Sequence, residues 1–358
     1  MKKRIKIFLG GYVNFPNAQN VNCDNIAKYL DKSKFEVHTM YVNKKPCDKK
    51  YYKQQGIYLH RMLQHRVIWR WCKYLVMLFG KYDIYYLPKM EQIDIEFVKK
   101  HKKDAVFISS VEGVVGEQIS TTNQVIKEKY FLMDDVFSIS KCIKESVKYY
   151  WNIDTKVLYL GVEGSTTNKN ELSKKKIEKV IWIGSVIDRK RPEYLVECAE
   201  KFPRLQFIMI GDGNEQEKIR KLIKDKGLKN LKMTGRIPNE KVYEELQKAD
   251  LLLMTSDKEG LPKVIAEAMI SGVPVIYINE CYNVDYIQNA ENGYAVADLE
   301  LMMNTIQKLI DEPYTYQKLA SNALKSIQNY RWDNLIKEYE KYFLEQYKCK
   351  FKKTLTKE

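Results

Sequence analysis

The chain has 358 residues and a mass of 42.4 kDa, more than the roughly 250–300 residues that one hydrophobic core usually organises, so two domains are expected. A content of 45% hydrophobic and 30% charged residues is typical of a folded globular protein. The longest apolar run, Tyr74 to Phe79, is far shorter than the roughly 20 residues of a membrane-spanning helix. The amino-terminal apolar stretch is also too short for a signal peptide, so we expect a cytoplasmic protein.

The formal charge of +15 is unevenly distributed. Residues 1–165 carry 28 lysines and arginines against 17 acidic residues, whereas residues 166–358 carry 33 against 29. A basic first half attracts nucleic acid, anionic lipid or a phosphorylated substrate, and charge alone does not choose among them.

The seven cysteines are scattered and include no C-x-x-C pair. That spacing supports neither a zinc site nor a disulfide framework. We therefore expect isolated reduced thiols and no metal bound by cysteine.

Strand-like and helix-like stretches alternate along the whole chain, which is typical of α/β layers built on parallel sheets. In the first half, the predicted strands are Ile5–Leu9, Val37–Val42, Ile84–Leu87, Ala105–Ser109 and Val136–Ile139, and the predicted helices are Asn22–Leu30, Val67–Phe79 and Ile93–His101. In the second half, the predicted strands are Val180–Ile183, Gln206–Ile210, Leu231–Thr234, Leu251–Met254, Val275–Ile278 and Tyr294–Val296. The helices predicted among them are Pro192–Lys201, Glu215–Lys226, Asn239–Lys248, Lys263–Ser271, Leu299–Asp311 and Tyr314–Asn329.

A polar, lysine-rich segment separates the two halves. We predict a first Rossmann-like domain at 1–163, a linker at 164–176, a second Rossmann-like domain at 177–328 and a terminal segment at 329–358. Two doubly wound domains joined by one linker would face each other across a cleft. Ligands of such sheets bind beyond the carboxyl ends of the strands, so the cleft is the expected site.

The segment after the strand Leu251–Met254 is the sharpest candidate for chemistry. It turns at Gly260 and enters a helix near Pro262, a residue that suits a first helical turn because its missing N–H would have no partner there. The backbone amides of Gly260, Leu261 and Lys263 would then point into the crevice. A helix amino terminus of this kind predicts a phosphate or anion site.

Two carboxylates, Glu259 and Glu267, lie eight residues apart in this segment. In a continuous helix they would be separated by about 12 Å, more than the roughly 5–9.5 Å between the carboxylates of a glycosidase. Hydrolysis by a flanking pair is therefore disfavoured. By spacing alone two interpretations stay open: the carboxylates grip two parts of one long ligand, or Glu259 caps the helix and Glu267 is solvated.

The same segment resembles the E-x7-E segment of retaining GT-B glycosyltransferases of family 4. The two glutamates stand within Glu-Gly-Leu-Pro, Glu-Ala-Met and Gly-Val-Pro-Val, in that order. Further segments that fall in the family's order are Ile183-Gly184 with Lys190, Ile210–Gly213, Thr234–Ile237, Ala249-Asp250, Asn292–Tyr294 and Tyr330–Trp332. The detailed similarity covers roughly residues 157–345. Residues 1–156 match the family only in the alternation of strands and helices and in Gly10-Gly11.

The resemblance implies a role for each matching residue. Glu267 would hold the ribose hydroxyls of a nucleotide-sugar, and Glu259 would bind hydroxyls of the transferred sugar. The diphosphate would meet Lys190, whose cation stabilises charge on the leaving nucleotide. The rest of the expected donor site comprises Gly10, Gly11, Gly184, Ser185, Arg236, Ile237, Gly260, Leu261, Pro262, Lys263 and Val264.

Several of these residues have a second interpretation that the sequence leaves open. Lys190 stands in an Arg-Lys-Arg run that could be solvated surface, and Gly10-Gly11 could be a plain βα turn instead of a close approach to phosphate. Ser185 stands where the family usually has an arginine, so Arg189 or Arg191 would supply the second cation.

Glu112 lies near the position at which many family members carry a histidine. It would accept hydrogen bonds from sugar or acceptor hydroxyls, or it is a simple turn carboxylate. The resemblance also implies a terminal helix, at about 333–347, that packs on the first domain. No metal or other cofactor is expected, and the sequence contains no Asp-x-Asp.

The stretch His60–Phe79 combines basic and aromatic residues at helical spacing. Arg66, Arg70 and Lys73 are predicted to form a polar stripe opposite a wide apolar face. Such a helix packs in a core or acceptor groove, or it docks on a membrane interface where a lipid-linked acceptor is met.

The leading hypothesis is a retaining glycosyltransferase. It would move a sugar from a nucleotide diphosphate-sugar, with UDP expected, to a hydroxyl of a glycan or lipid-linked glycan in bacterial surface polysaccharide synthesis. It would work in the cytoplasm, with the inner face of the plasma membrane as a docking surface, and nucleic acid is not an expected partner. The alternatives are a nucleotide-sugar epimerase of the same fold and a non-catalytic basic binding protein.

Overall fold

The computed structural model describes residues 3–15, 17–64, 68–116, 128–164, 176–257, 259–278 and 284–355. Apart from its two end residues, the predicted linker at 164–176 lies outside this part of the chain, as does Arg66. The chain divides into two units: the first comprises Met1–Leu160 with Trp332–Glu358, and the second Gly161–Arg331. The borders thus fall at 160/161 and 331/332, close to the predicted ends of the two domains at 163 and 328, and the range of the second unit includes the predicted linker.

The first unit is built on a seven-stranded parallel sheet in the order β3-β2-β1-β4-β5-β6-β7. Its strands are β1 (Ile5–Tyr12), β2 (Phe35–Val42), β3 (Ile57–Met62), β4 (Ile84–Tyr86), β5 (Val106–Val111), β6 (Asp135–Ser138) and β7 (Lys156–Val157). Its helices are α1 (Ala18–Tyr29), α2 (Lys49–Gln54), α3 (Ile68–Gly80), α4 (Gln92–His101), α5 (Lys141–Trp151) and the terminal helix, Trp332–Leu355. Winding outward in both directions from β1 and β4 gives the doubly wound arrangement.

The second unit has a six-stranded parallel sheet in the order β10-β9-β8-β11-β12-β13. Its strands are β8 (Lys179–Ile183), β9 (Gln206–Ile210), β10 (Leu231–Gly235), β11 (Leu251–Met254), β12 (Val275–Ile278) and β13 (Tyr294–Val296). Its helices are α6 (Glu193–Lys201), α7 (Gln216–Asp225), α8 (Asn239–Lys248), α9 (Lys263–Ile270), α10 (Leu299–Asp311) and α11 (Pro313–Ile327). The terminal helix of the first unit is then α12. Two doubly wound parallel sheets confirm the predicted fold class.

The helix α12 belongs to the first unit through buried contacts. The Tyr339 hydroxyl donates a hydrogen bond to the Tyr159 carbonyl (3.0 Å), and Glu340 Oε1 accepts one from the Asp31 amide (2.8 Å). Trp332, at the start of the helix, is only 1% exposed. Burial of large aromatic side chains of this kind is the main force that holds such a helix in place.

Aspartates that directly precede strands tie neighbouring strands together at their amino ends. The carboxylate of Asp83 accepts the Lys6 amide (2.8 Å), and that of Asp250 accepts the Lys179 amide (2.8 Å). Each of these bonds satisfies a backbone N–H just before the backbone hydrogen bonds between the two strands begin. The bond therefore fixes the register of the two strands.

The orientation of α3 differs from the predicted one. Lys73, assigned above to the polar stripe, has a side chain only 3% exposed, and its ammonium lies 2.8 Å from Asp94 Oδ2 on α4. Asp94 is fully buried and also accepts the Glu91 amide (2.8 Å), so that it caps α4. The helix α3 therefore buries Lys73, because the buried carboxylate of Asp94 compensates its charge.

We expect Lys73→Met to lower the free energy of unfolding by about 3–5 kcal/mol, because it leaves the Asp94 carboxylate buried without its cation. Urea unfolding followed by tryptophan fluorescence measures this, since four of the five tryptophans belong to the first unit. The control is Arg70→Met on the same helix, whose exposed side chain lies 3.9 Å from Glu91 and should contribute about 0–1 kcal/mol. Equal losses in the two variants would contradict the assignment.

Candidate functional site

The second sheet changes its winding direction between β8 and β11, which are neighbours in space and distant in sequence. The loops that leave these strands at their carboxyl ends run in opposite directions and open a crevice. Gly184 follows β8, and Thr255 to Gly260 follow β11. The predicted donor residues Gly184, Ser185, Lys190, Glu259 and Gly260 are thus carried by the loops that border this crevice.

A single turn of 3₁₀ helix, Asp188–Lys190, brings two cations to Glu259. Arg189 Nη1 lies 3.2 Å from Glu259 Oε1, and Lys190 Nζ contacts the same oxygen. The side chains of Lys190 and Glu259 are 16% and 18% exposed, so the pair is largely sheltered while Arg189 is half exposed. The interpretation of Lys190 as a solvated surface residue is therefore wrong.

A second ion pair braces the same turn. Arg191, which has a left-handed φ of 44°, pairs through Nε with Asp257. The Asp257 amide also donates a hydrogen bond to the Arg189 carbonyl (3.0 Å). The basic run after β8 is thus held against the acidic turn after β11 by side chains and backbone alike.

Thr255 positions the backbone beneath Lys190, and the motif analysis missed it. Its hydroxyl donates to the Lys190 carbonyl (2.6 Å) and accepts from Trp182 Nε1 (2.9 Å), and it is fully buried. A threonine directly after a strand carries no sequence signal that separates this role from an ordinary strand end. Its partners, Trp182 and Lys190, are more than 60 residues away in the chain.

Glu267 lies on α9, one turn after the start of that helix. Its carboxylate is 3.5 Å from Lys263 Nζ, and its side chain is 15% exposed. Burial and the adjacent Glu267 carboxylate raise the pKa of the Tyr243 hydroxyl. That hydroxyl also donates to the Glu163 carbonyl (2.9 Å). Tyr243 is a second residue of the site that the sequence did not reveal.

The amino terminus of α9 carries the predicted anion-binding backbone. The helix begins at Lys263, with Pro262 as N-cap and no side-chain cap from it. Leu261 and Pro262 are buried, which anchors the turn, while Lys263 and Val264 are partly exposed. Because the helix starts only at Lys263, Glu259 lies in the preceding turn, and the span between the two glutamates is not continuously helical.

Glycines after β8 and β9 allow two loops to touch. Gly211 has a φ of 141°, and a Cβ there would lie 1.7 Å from the Gly184 carbonyl oxygen. A Cβ on Gly213 would lie 2.2 Å from the Val186 carbonyl oxygen. Any other residue type would push the loop after β9 away from the loop that leads to Lys190.

The other predicted donor-site residues of the second unit lie at the same carboxyl edge of the second sheet. Arg236 and Ile237 directly follow β10, an outer strand of the sheet, with Arg236 exposed and Ile237 half-buried. Ser185, next to Gly184, is exposed. These three residues stand at carboxyl ends of strands, as a border of the crevice requires.

In the first unit, Gly10 and Gly11 lie inside β1 and not in a turn after it. A Cβ on Gly11 would lie 2.4 Å from the Cys23 Cβ of α1, and one on Gly10 would lie 3.1 Å from the Tyr86 carbonyl oxygen of β4. The interpretation of this pair as a plain βα turn is therefore wrong. Their small size lets α1 and β4 pack closely on β1.

Glu112 directly follows β5 of the first unit. Its carboxylate accepts a hydrogen bond from the Ser110 hydroxyl (3.1 Å) and lies 3.5 Å from the Asn22 side-chain amide. Burial raises the pKa of Glu112 from 4.5 to about 7, although these contacts lower it in part. A carboxyl group that changes charge near neutral pH is suited to proton or hydroxyl chemistry.

Comparison with known proteins agrees with this geometry. Residues 165–326 match the family described as glycosyl transferases group 1. The chain is 25% identical over 180 residues to an uncharacterized glycosyltransferase of Haemophilus influenzae, covering 48% of this chain and 50% of that protein. It is 28% identical over 155 residues to a putative teichuronic acid biosynthesis glycosyltransferase of Bacillus subtilis, covering 39% and 37%. The alignment thus spans about half, or less, of these curated relatives.

Solved structures share the fold over nearly the whole chain. The HepE protein of Anabaena in complex with UDP-glucose superposes with a TM-score of 0.77 at 17% identity, covering 96% of this chain and 100% of that one. Sucrose-phosphate synthase of Thermosynechococcus elongatus gives 0.78 at 15% identity, covering 97% and 100%. Both units thus share the GT-B fold of these structures, and nearly all of the second unit matches the family described as glycosyl transferases group 1.

Proposed function

We propose that this protein is a retaining glycosyltransferase that moves a sugar from a UDP-sugar to a hydroxyl of a glycan or lipid-linked glycan. The observation that carries the proposal is the assembly of Lys190, Glu259 and the start of α9 at the point where the second sheet changes its winding direction. Cationic side chains and helix amides at such a point are suited to a diphosphate. The carboxylates beside them are suited to sugar hydroxyls.

Each residue has one task in the proposed donor complex. Glu267 accepts hydrogen bonds from the ribose hydroxyls, and Glu259 accepts them from the transferred sugar. Backbone amides between Gly260 and Val264 and the ammonium of Lys190 bind the diphosphate. Arg236 and Ile237 border the base. Ser185 carries no charge, so a second cation for the diphosphate must come from another residue. Arg189, half exposed beside Glu259, is proposed to supply it.

The proposed reaction needs no covalent enzyme intermediate. The bond between the anomeric carbon and the phosphate oxygen breaks, and the acceptor oxygen forms its bond on the same face. The acceptor proton passes to the departing phosphate oxygen, so the charges balance. Lys190 stabilises the negative charge that develops on the leaving UDP, and a cation placed there before reaction is an effective electrostatic catalyst. We propose no metal for these steps.

Names among the relatives support a UDP-sugar and an α-linked product. A relative from Staphylococcus aureus, 28% identical over 173 residues, is named poly(ribitol-phosphate) alpha-N-acetylglucosaminyltransferase. The HepE structures hold UDP, UDP-glucose, or UDP with glucose. The sugar of UDP-glucose is attached through an α bond, so an α-linked product corresponds to retention. The teichuronic acid and O-antigen relatives favour a cell-surface polysaccharide acceptor.

We expect Glu267→Ala to weaken UDP binding by about 10–100-fold, because hydrogen bonds to a charged group contribute about 1.5–3 kcal/mol. Isothermal titration calorimetry with UDP, GDP and ADP measures this and identifies the base that the site accepts. The matched control is Glu200→Ala, another glutamate of the second unit, which pairs with Lys226. Absence of binding by all three nucleotides would refute the donor site.

We expect Lys190→Met and Glu259→Gln to separate phosphate binding from sugar binding. Lys190→Met should weaken the binding of UDP itself and lower turnover of the UDP-sugar about 100–1000-fold, since it removes a charge from the leaving-group site. Glu259→Gln should leave UDP affinity little changed while turnover falls, because UDP lacks the sugar that this carboxylate binds. Release of UDP from UDP-glucose and UDP-N-acetylglucosamine is the activity readout. If Lys190→Met bound UDP normally, Lys190 would serve only to hold Glu259.

We further propose that Glu112 binds an acceptor hydroxyl, and its protonation can be tested without knowing the acceptor. A carboxyl with a raised pKa holds a proton in the folded state that the unfolded state has lost, so its contribution to stability falls as the pH rises from 4.5 to about 7. Relative to the unmodified chain, Glu112→Gln should therefore gain stability between about pH 5 and about pH 8. Glu145→Gln, at an exposed position on α5, should show no such trend, and a flat difference for Glu112→Gln would refute the raised pKa.

A further inference from the structure

The helix α3 exposes a line of large apolar side chains. Ile68, Trp71, Leu75 and Phe79 are 43%, 59%, 44% and 76% exposed. Their spacing of three, four and four residues places them on one face of the helix. We call these four residues the α3 stripe.

The exposure of the α3 stripe is built into the fold, because the opposite face is firmly attached. Lys73 and Met77 are buried, with Lys73 paired to Asp94. Trp69 packs against Tyr12 with ring centroids 4.7 Å apart, and Tyr74 packs edge-on to Phe97 at 5.5 Å. A helix held by an ion pair and two ring contacts cannot rotate to bury its outer face without breaking them.

The part of the sequence that carries the α3 stripe is rich in basic residues. The sequence from 57 to 103, which runs from β3 to just beyond α4, carries ten lysines and arginines against four acidic residues. Arg70 stands on α3 itself, with 63% of its side chain exposed, and Lys81 directly follows the helix at an exposed position. An anionic surface complements this charge. A second copy of a chain with a charge of +15 does not.

We propose that the α3 stripe docks the protein on the surface of an anionic lipid bilayer. Trp71 and Phe79 would enter the interface between headgroups and acyl chains, where aromatic side chains concentrate. Arg70 and Lys81 would face the lipid phosphates. A helix of 13 residues is about 20 Å long and would lie in the plane of the interface.

The proposal concerns attachment to the interface and not insertion across it. Within the described ranges, the chain has no helix long and apolar enough to cross a membrane. The inference is independent of the proposed reaction, since it uses none of the residues assigned to donor or acceptor.

The test is flotation of the full chain with vesicles of phosphatidylcholine alone and of phosphatidylcholine with about 30% phosphatidylglycerol. We expect binding to the anionic vesicles only, and at least tenfold weaker binding for Trp71→Ser combined with Phe79→Ser. Raising the salt to about 0.5 M should weaken binding, because it screens the charges. The tryptophan emission of the unmodified chain should shift to shorter wavelength on binding, and this shift should disappear when Trp71 is replaced.

Matched controls come from the second unit, where Leu301 and Tyr314 are 46% and 79% exposed. Leu301→Ser combined with Tyr314→Ser removes a similar exposed apolar area and should leave flotation unchanged. Circular dichroism and UDP titration of each variant show that the fold is intact.

Three outcomes would overturn the proposal. The first is failure of the unmodified chain to float with anionic vesicles. The second is equal loss of binding in the stripe and control variants. The third is a dimer in sedimentation that dissociates when Trp71 and Phe79 are replaced, which would assign the stripe to a second copy of the chain.

Discussion

Parallel pairing of all strands is the constraint on which the rest of this structure depends. A parallel neighbour can be reached only by a crossover, and in the described residues most strands are followed by a helix at their carboxyl end. Loops from distant parts of the sequence therefore emerge at one edge of each sheet. In the second unit this edge unites residues as far apart as Lys190 and Glu259, which touch although 69 positions separate them. The contact between these two residues is a consequence of that topology.

The contact between Lys190 and Glu259 has an electrostatic basis. A carboxylate and an ammonium that were each sheltered alone would lose most of their hydration without compensation. Paired, they compensate each other for the lost hydration and hold each other in place. In the proposed donor complex, phosphate oxygens would replace the glutamate as the partner of the lysine, and sugar hydroxyls would replace the lysine as the partner of the glutamate.

The sequence predicted the second unit nearly in full, since most of its strands are apolar runs and its helices have regular spacing. In the first unit it missed β3, an edge strand in which the polar residues His60 and Arg61 break the apolar pattern, and β7, which has only two residues. It also missed Thr255 and Tyr243, whose roles depend on partners remote in the chain. Periodicity showed that α3 is amphipathic, yet it could not tell which face points inward. That choice depended on Asp94, an acidic group on another helix.

The two ends of the second unit are joined by hydrogen bonds. Where the chain enters it, the Val162 amide donates to the Tyr330 carbonyl (2.9 Å), and Arg331 Nη1 at the exit donates to the Gly164 carbonyl (3.0 Å). Residues at the start and at the end of the second unit are therefore hydrogen-bonded to each other. Residues 161–331 form an insertion within the first unit, which comprises the segments on either side of them. When the two ends of an insertion adjoin, the insertion can be removed or replaced, because the flanking segments of the host domain are already close enough to be joined. Exchange of residues 161–331 as a unit is therefore a possible route of evolution for this chain, with the first unit left unchanged.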